Sequence, residues 1–142
     1  MKNLFWCALL FVACQEPPQQ ESDESMFEWR AIEVTASAYN SVPWQTTEEN
    51  SNIAAWGDTL KPGMKSIAVS RDLIRMGLTH NTMVKIGLWP DTFYVKDKMN
   101  RRWRNRIDIY MGLDIKKARE WGRKKIDICY AIPLDTINSE NK

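Results

Sequence analysis

The sequence is short of the residues that build the commonest reaction centres. Its 142 residues hold one histidine, His80, and three cysteines, which excludes a histidine-based triad and a His-rich metal site. Cys7 and Cys14 lie near the N-terminus and only Cys129 stands in the body of the chain, so no disulfide framework is available there. Cys129 falls in the apolar stretch KIDICYAI and is expected as a small buried side chain without a chemical role. Charge of one sign is also scarce. The formal net charge is +2, too mild to argue for nucleic acid from the global balance. No carboxylate spacing asks for a metal, and neither a metal nor a cofactor is expected. The longest apolar run, Leu4 to Ala13, falls well short of the roughly 20 residues that span a bilayer. What remains, 44% hydrophobic and 27% charged residues, is ordinary for a single globular domain.

The chain opens as an export signal, with Lys2 as a small positive region before the apolar run. That run ends in LFVAC, which resembles the lipobox of bacterial lipoproteins, with Phe11 where leucine is more usual. The resemblance implies that Cys14 is lipidated and becomes the first residue of the mature chain; the alternative is a secreted protein that loses Cys14 with its signal. QEPPQQESDESMFE, residues 15–28, has the composition of a disordered tether. The expected organisation is therefore a signal over 1–14, a tether over 15–28, one domain over 29–134 and a polar tail over 135–142.

Within the domain, AIEVTASAY alternates Ile32, Val34, Ala36 and Ala38 against Glu33, Thr35 and Ser37, the period of a half-buried strand. The turn-rich stretch that follows predicts a long ordered connection with a helical turn near Ile53 to Trp56, and such loops tend to be functional. SIAV predicts a short strand. SRDLIRMG predicts a short helix, with Ser70 as N-cap and Gly77 just past its end. TMVKIGL and TFYVKDKM pair around Trp89-Pro90-Asp91, RIDIYM is another strand, LDIKKAREWGRK is a helix capped by Asp114 and stopped by Gly122, and KKIDICYAI closes the fold. Six or so short strands with one or two small helices indicate an all-β closed or nearly closed barrel rather than a βαβ sheet.

Val95 to Tyr110, VKDKMNRRWRNRIDIY, sets Asp97 and Asp108 among Lys96, Lys98, Arg101, Arg102, Arg104 and Arg106. Alternation places Asp97 on the face that carries Phe93, Val95 and Met99, where a carboxylate must lie at a barrel mouth or be paired. Asp108 points away from Ile107 and Ile109, and periodicity alone leaves its position relative to Asp97 open. Trp44, Trp56 and Trp89 sit in loops, either as a sugar platform or packed beneath the loop.

The string D-x10-R-I-D-I-Y, the helix with Ala118 and Trp121-Gly122 and the final strand resemble the three-aspartate (3D) domain of bacterial cell-wall enzymes. VTASAYN is similar to that family's opening strand, with Tyr39 at its tyrosine, and AWGDTLKPGMKSIAVS to its glycine-bounded stretch; the match spans Val34 to Ile128. The resemblance implies a six-stranded double-psi β-barrel, as in membrane-bound lytic transglycosylase A and the stationary-phase peptidoglycan enzymes. It also implies cleavage of the MurNAc–GlcNAc β-1,4 bond, with Asp97 as acid and then base and Asp108 orienting the site. Two departures stand out. Ser70 occupies the place of the family's third aspartate, with Asp72 two residues on, and Lys98 to Trp103 replace the glycines after the catalytic aspartate. Trp103 would stack on a sugar, while Arg101, Arg102 and Arg104 would meet lactyl or peptide carboxylates; for each alone a solvated basic loop with a packed Trp is the alternative.

Three functions compete. The first is a lipid-anchored lytic transglycosylase acting on peptidoglycan glycan strands, a monomer at the outer membrane facing the periplasm, with no nucleic-acid partner. The second is a non-catalytic glycan-binding lipoprotein module, favoured by the lost glycines. The third is binding of an anionic polymer through Lys96 to Arg106.

Overall fold

A computed structural model of the chain describes residues 26–41 and 52–140. The export signal, Cys14, most of the tether and Trp44 lie outside the described residues. The strands are β1 Phe27–Tyr39, β2 Ser66–Val69, β3 Met83–Ile86, β4 Thr92–Lys98, β5 Arg106–Tyr110 and β6 Lys124–Pro133. They close into a barrel in the order β1-β5-β2-β4-β3-β6. The β1–β5 and β2–β4 contacts are parallel and the remaining contacts antiparallel, so the barrel is mixed, as a double-psi barrel is.

The core follows from alternation. Ile107 and Ile109 of β5 face Val69 and Ile67 of β2, and Ile67 meets Val95 of β4 on its other side. All five are fully buried, together with Val34, Val84 and Ile128. β2 is only four residues long and buried throughout, which suits a strand enclosed on both sides.

The helices are α1 Arg71–Arg75, α2 Ile115–Trp121 and α3 Leu134–Glu140. Asp114 caps α2 by accepting from the Lys117 N–H at 2.8 Å, and Gly122, at φ 64°, ends it. Ser70 precedes α1 without capping it; its Oγ instead accepts from the Arg106 N–H at 3.0 Å. β1 begins at Phe27 rather than Ala31 because it pairs with β6 over ten positions, from Phe27–Pro133 to Ala36–Lys124. α3 is an addition to the sequence expectation, where 135–142 reads as polar tail. Ile137 turns against the core while Leu134 stays exposed, a signal too sparse for periodicity to catch.

Two further expectations are corrected. The segment near Ile53 to Trp56 is not a helical turn but a tight turn closed by a bridge between Ile53 and Thr59, because Ala54 and Leu60 are drawn down onto Tyr110. Cys129 is half-buried rather than buried, and it is free.

Candidate active site

Strand register brings the two aspartates together. Ser37 of β1 lies opposite Asp108 of β5, Asp108 opposite Ala68 of β2, and Ala68 opposite Asp97 of β4. These residues form one row across neighbouring strands, which places the backbones of Asp97 and Asp108 about 10 Å apart, two strand spacings. The row depends on a bulge. Val95 pairs with Ile67 and Asp97 with Ala68, so Lys96 is an extra residue in β4. Unbroken alternation would keep Asp97 with Phe93, Val95 and Met99; those three are buried, whereas Asp97 is only half-buried. The bulge thus takes Asp97 out of the apolar set where the sequence placed it.

Two backbone donors fix the Asp97 carboxyl. Its Oδ1 accepts from the Ala55 N–H at 2.7 Å and from the Lys98 N–H at 2.8 Å, and among the described residues Oδ2 has no such partner. Ala55 belongs to the turn over 52–60, which a small polar network pins to the barrel. Asp58 pairs with His80 and with Lys96, the latter at 3.0 Å, and Trp56 stacks on the His80 ring at 5.3 Å. The hydrogen bond from Lys96 holds the Asp58 carboxyl below its ordinary value of 3.8; it outweighs the opposing effect of burial, and His80 adds to it. A carboxyl depressed by folding stabilises the fold fully above its unfolded value and loses that contribution as pH falls through the folded one. The turn is therefore expected to loosen on acidification below about 3.8. Asp58→Asn should reproduce the loosening at neutral pH, read as a lower amide-exchange protection factor at Ala55. Unchanged protection in the variant would show that the network does not hold the turn.

Asp108 is held from the other side. The Ser37 hydroxyl donates to Asp108 Oδ1 and accepts from Arg106 Nη2 at 3.1 Å. Arg106 is buried, with its guanidinium 4.0 Å from the centre of the Trp103 ring, while Arg102 approaches the same ring at 4.8 Å. Trp103 therefore roofs the Arg106–Ser37–Asp108 chain, and its ring contacts two cations.

Tyr39 joins the two halves. Burial, then the charges of Asp97, Tyr110 and Asp108, push its phenol well above the ordinary tyrosine value, which places it in the field of both carboxylates. Its ring packs on Tyr110 at 5.4 Å. Its hydroxyl is buried with no hydrogen-bond partner among the described residues.

The third-aspartate position is also settled in place. Ser70 is fully buried and spends its hydroxyl on the Arg106 N–H. Asp72 sits outside the row and accepts from the Asn105 N–H at 2.8 Å. Burial opposes its charge, yet the Ser70 hydroxyl, the Asn105 N–H and nearby Arg104 together hold its carboxyl below the ordinary range. Asp72 thus anchors the end of the basic loop, where Asn105 takes a left-handed turn at φ 47°.

Of the residues marked by sequence, Asp97, Asp108 and Tyr39 converge, and Trp103 reaches them through Arg106. Arg101 and Arg104 do not join the row but line a neighbouring cleft with Trp56, Arg71, Arg75 and Lys98. Ser37 and Ala55 escape the sequence reading, and Arg106, read there only as part of the basic run, is tied to Asp108 through Ser37. Alternation in β1 and in R-I-D-I-Y could have paired Ser37 with Arg106 and Asp108, but nothing marks Ala55, which acts through its backbone. Among the described residues no group of three or more His, Cys, Asp or Glu side chains is placed to hold a metal ion.

No family model matches the chain, and no curated protein matches it. Among solved structures it is similar to an expansin of Clavibacter michiganensis in its apo form, at 15% identity and a TM-score of 0.45 over 74% of this chain. An aspartate-to-asparagine mutant of that expansin in complex with cellohexaose matches at 15% identity and a TM-score of 0.43, again over 74% of this chain. The chain spans about half the length of these structures, 52% and 50%.

Proposed function

We propose that this barrel is a lytic transglycosylase-like enzyme that cleaves the MurNAc–GlcNAc β-1,4 bond of peptidoglycan in the bacterial cell envelope. The convergence of Asp97, Asp108 and the buried Tyr39 hydroxyl on one face of the barrel carries the proposal. It agrees with the resemblance of D-x10-R-I-D-I-Y and the opening VTASAY strand to the three-aspartate domain.

The chemistry follows from the two ends of the row. With Oδ1 of Asp97 saturated by two N–H groups, Oδ2 is the oxygen that carries the transferable proton. It gives that proton to the glycosidic oxygen as the bond to C1 of the muramic ring breaks. The C6 hydroxyl oxygen of the same ring then bonds to C1, and its proton returns to Asp97 Oδ2. Asp97 ends as it began, the product carries a 1,6-anhydro ring, and no water is consumed. Asp108, fixed by Ser37, accepts from sugar hydroxyls and holds the ring in position. In this scheme Cys14 carries the lipid anchor, the residues after it tether the domain near the membrane, and the chain works as a monomer at the outer membrane facing the periplasm.

A second reading, a non-catalytic glycan-binding module, is favoured by the Ala55 turn lying directly on Asp97 and by the basic loop in place of glycines. Incubating purified sacculi with the protein separates the two. Anhydro-muropeptides detected by mass spectrometry with the wild type and not with Asp97→Asn support the enzyme. Sacculus binding by both proteins without product supports the module.

A further inference from the structure

We propose that the basic cleft beside Asp97 is a subsite for a carboxylate-bearing peptide arm on the glycan, so that the enzyme reads peptide-substituted strands. This rests on the glycan reading above and adds to it the chemical class of strand that is bound.

The cleft encloses about 490 Å³ and is walled by Trp56, Arg71, Arg75, Lys98, Arg101 and Arg104. That volume falls in the range of ligand sites and exceeds what a lone ion needs. Five cations meet in one cleft of a chain whose formal net charge is only +2, so the clustering is not a consequence of composition. None of the five forms an ion pair within 4.0 Å among the described residues. Arg71 donates to the Met99 carbonyl and Arg104 to the carbonyls of Arg101 and Trp103. Those neutral acceptors set the orientation of the guanidinium groups without neutralising them. Asp72, whose carboxylate interacts with Arg104, offsets part of one of the five charges and leaves the other four without a carboxylate within ion-pair distance among the described residues.

The cleft also abuts the reacting carboxyl. Lys98 follows Asp97 in β4 and grips it through its backbone N–H, while its Nζ lies 4.7 Å from the centre of the Trp56 ring. Trp56 follows Ala55, the other residue that grips Asp97. Of the two backbone donors on the acid, one belongs to Lys98, which lines the cleft, and the other to Ala55, the residue before Trp56, which lines it too. A substituent on the sugar at Asp97 has this cleft beside it. Guanidinium forks match planar carboxylates in bidentate geometry, and Trp56 offers an apolar wall to the peptide stem. A bare glycan, being neutral apart from its muramic lactyl groups, would leave most of this charge unused.

The test measures binding rather than cleavage, using the full chain with Asp97→Asn to keep the strands intact. The probes are soluble peptidoglycan strands with their stem peptides and the same strands after amidase has removed them. Peptide-bearing strands should bind about tenfold or more tighter, with the preference shrinking as salt rises. Charge reversal at two exposed positions, Arg75→Glu with Arg101→Glu, should bring the ratio of the two affinities to about one; the milder Arg75→Ala with Arg101→Ala should lower it part of the way, which guards against a folding defect in the reversed protein. Equal binding of both probes by the parent protein would overturn the peptide subsite while leaving the glycan reading intact. A preference that survives both double variants would also overturn it. Binding of neither probe would overturn the glycan reading and the subsite together. A wall glycan bearing phosphodiesters that binds more tightly than the peptide-bearing strand would overturn the assignment to a peptide carboxylate.

Discussion

Asp97→Asn is expected to lower the rate of anhydro-muropeptide release by about 10²–10⁴-fold, the usual contribution of a positioned general acid. Asparagine matches aspartate in size and keeps an oxygen for the Ala55 and Lys98 N–H groups, so the turn over Asp97 stays in place and the melting temperature should hardly move. What disappears is the proton that Oδ2 gives and takes back. Asp108→Asn should cost less, because that carboxyl does not exchange a proton with substrate. An asparagine oxygen can still accept from Ser37 and so preserve much of the orientation. The contrast is the useful quantity: a large loss in kcat at Asp97 with a smaller loss, mainly in KM, at Asp108. Equal losses at the two positions would show that the roles are not divided in this way.

Ile67→Ala is expected to destabilise the barrel by about 2–5 kcal/mol, as for other large-to-small changes at fully buried sites. Ile67 is fully buried in the middle of β2, between Ile109 of β5 and Val95 of β4. Because β2 is short and paired on both sides, the surrounding strands cannot close in without breaking register. Its neighbour Ala68 is the residue that separates Asp108 from Asp97, so loss of order here should also reach the row of acids. Urea unfolding gives the stability change directly, provided the slope stays constant. A shift under about 1 kcal/mol would mean that β2 is not the keystone its pairing suggests.

How far the sequence carries can be followed residue by residue. R-I-D-I-Y alternates, so Ile107 and Ile109 are legible as core and Asp108 as pointing elsewhere; the structure agrees. The burial of Arg106 and Tyr110 on that other face is not legible. It comes from Trp103, three residues earlier, folding back over Arg106, and from the 52–60 turn above Tyr110, a contact between segments distant in sequence. Asp97 shows the same limit. A bulge belongs to the pairing of two strands, and alternation within β4 alone gives no sign that Lys96 is the extra residue. The closed six-stranded barrel is readable from the spacing of short strands and turns, whereas its order, with β5 between β1 and β2, is not. The basic loop reads as a run of charge. Only the fold shows that Arg101 and Arg104 face Arg71 and Arg75 of α1 across a cleft, because α1 lies far from them in the chain and close in space.

The central claim is that Asp97 returns the sugar's own C6 hydroxyl to C1 and does not activate water. Digesting sacculi in water enriched in oxygen-18 and weighing the released muropeptides tests it most directly. The account predicts products lighter than hydrolysed ones by one water, with a 1,6-anhydro ring and no heavy oxygen at C1, and their loss in Asp97→Asn. Reducing-end products that carry oxygen-18 would contradict it, as would anhydro products that form equally well without the Asp97 carboxyl.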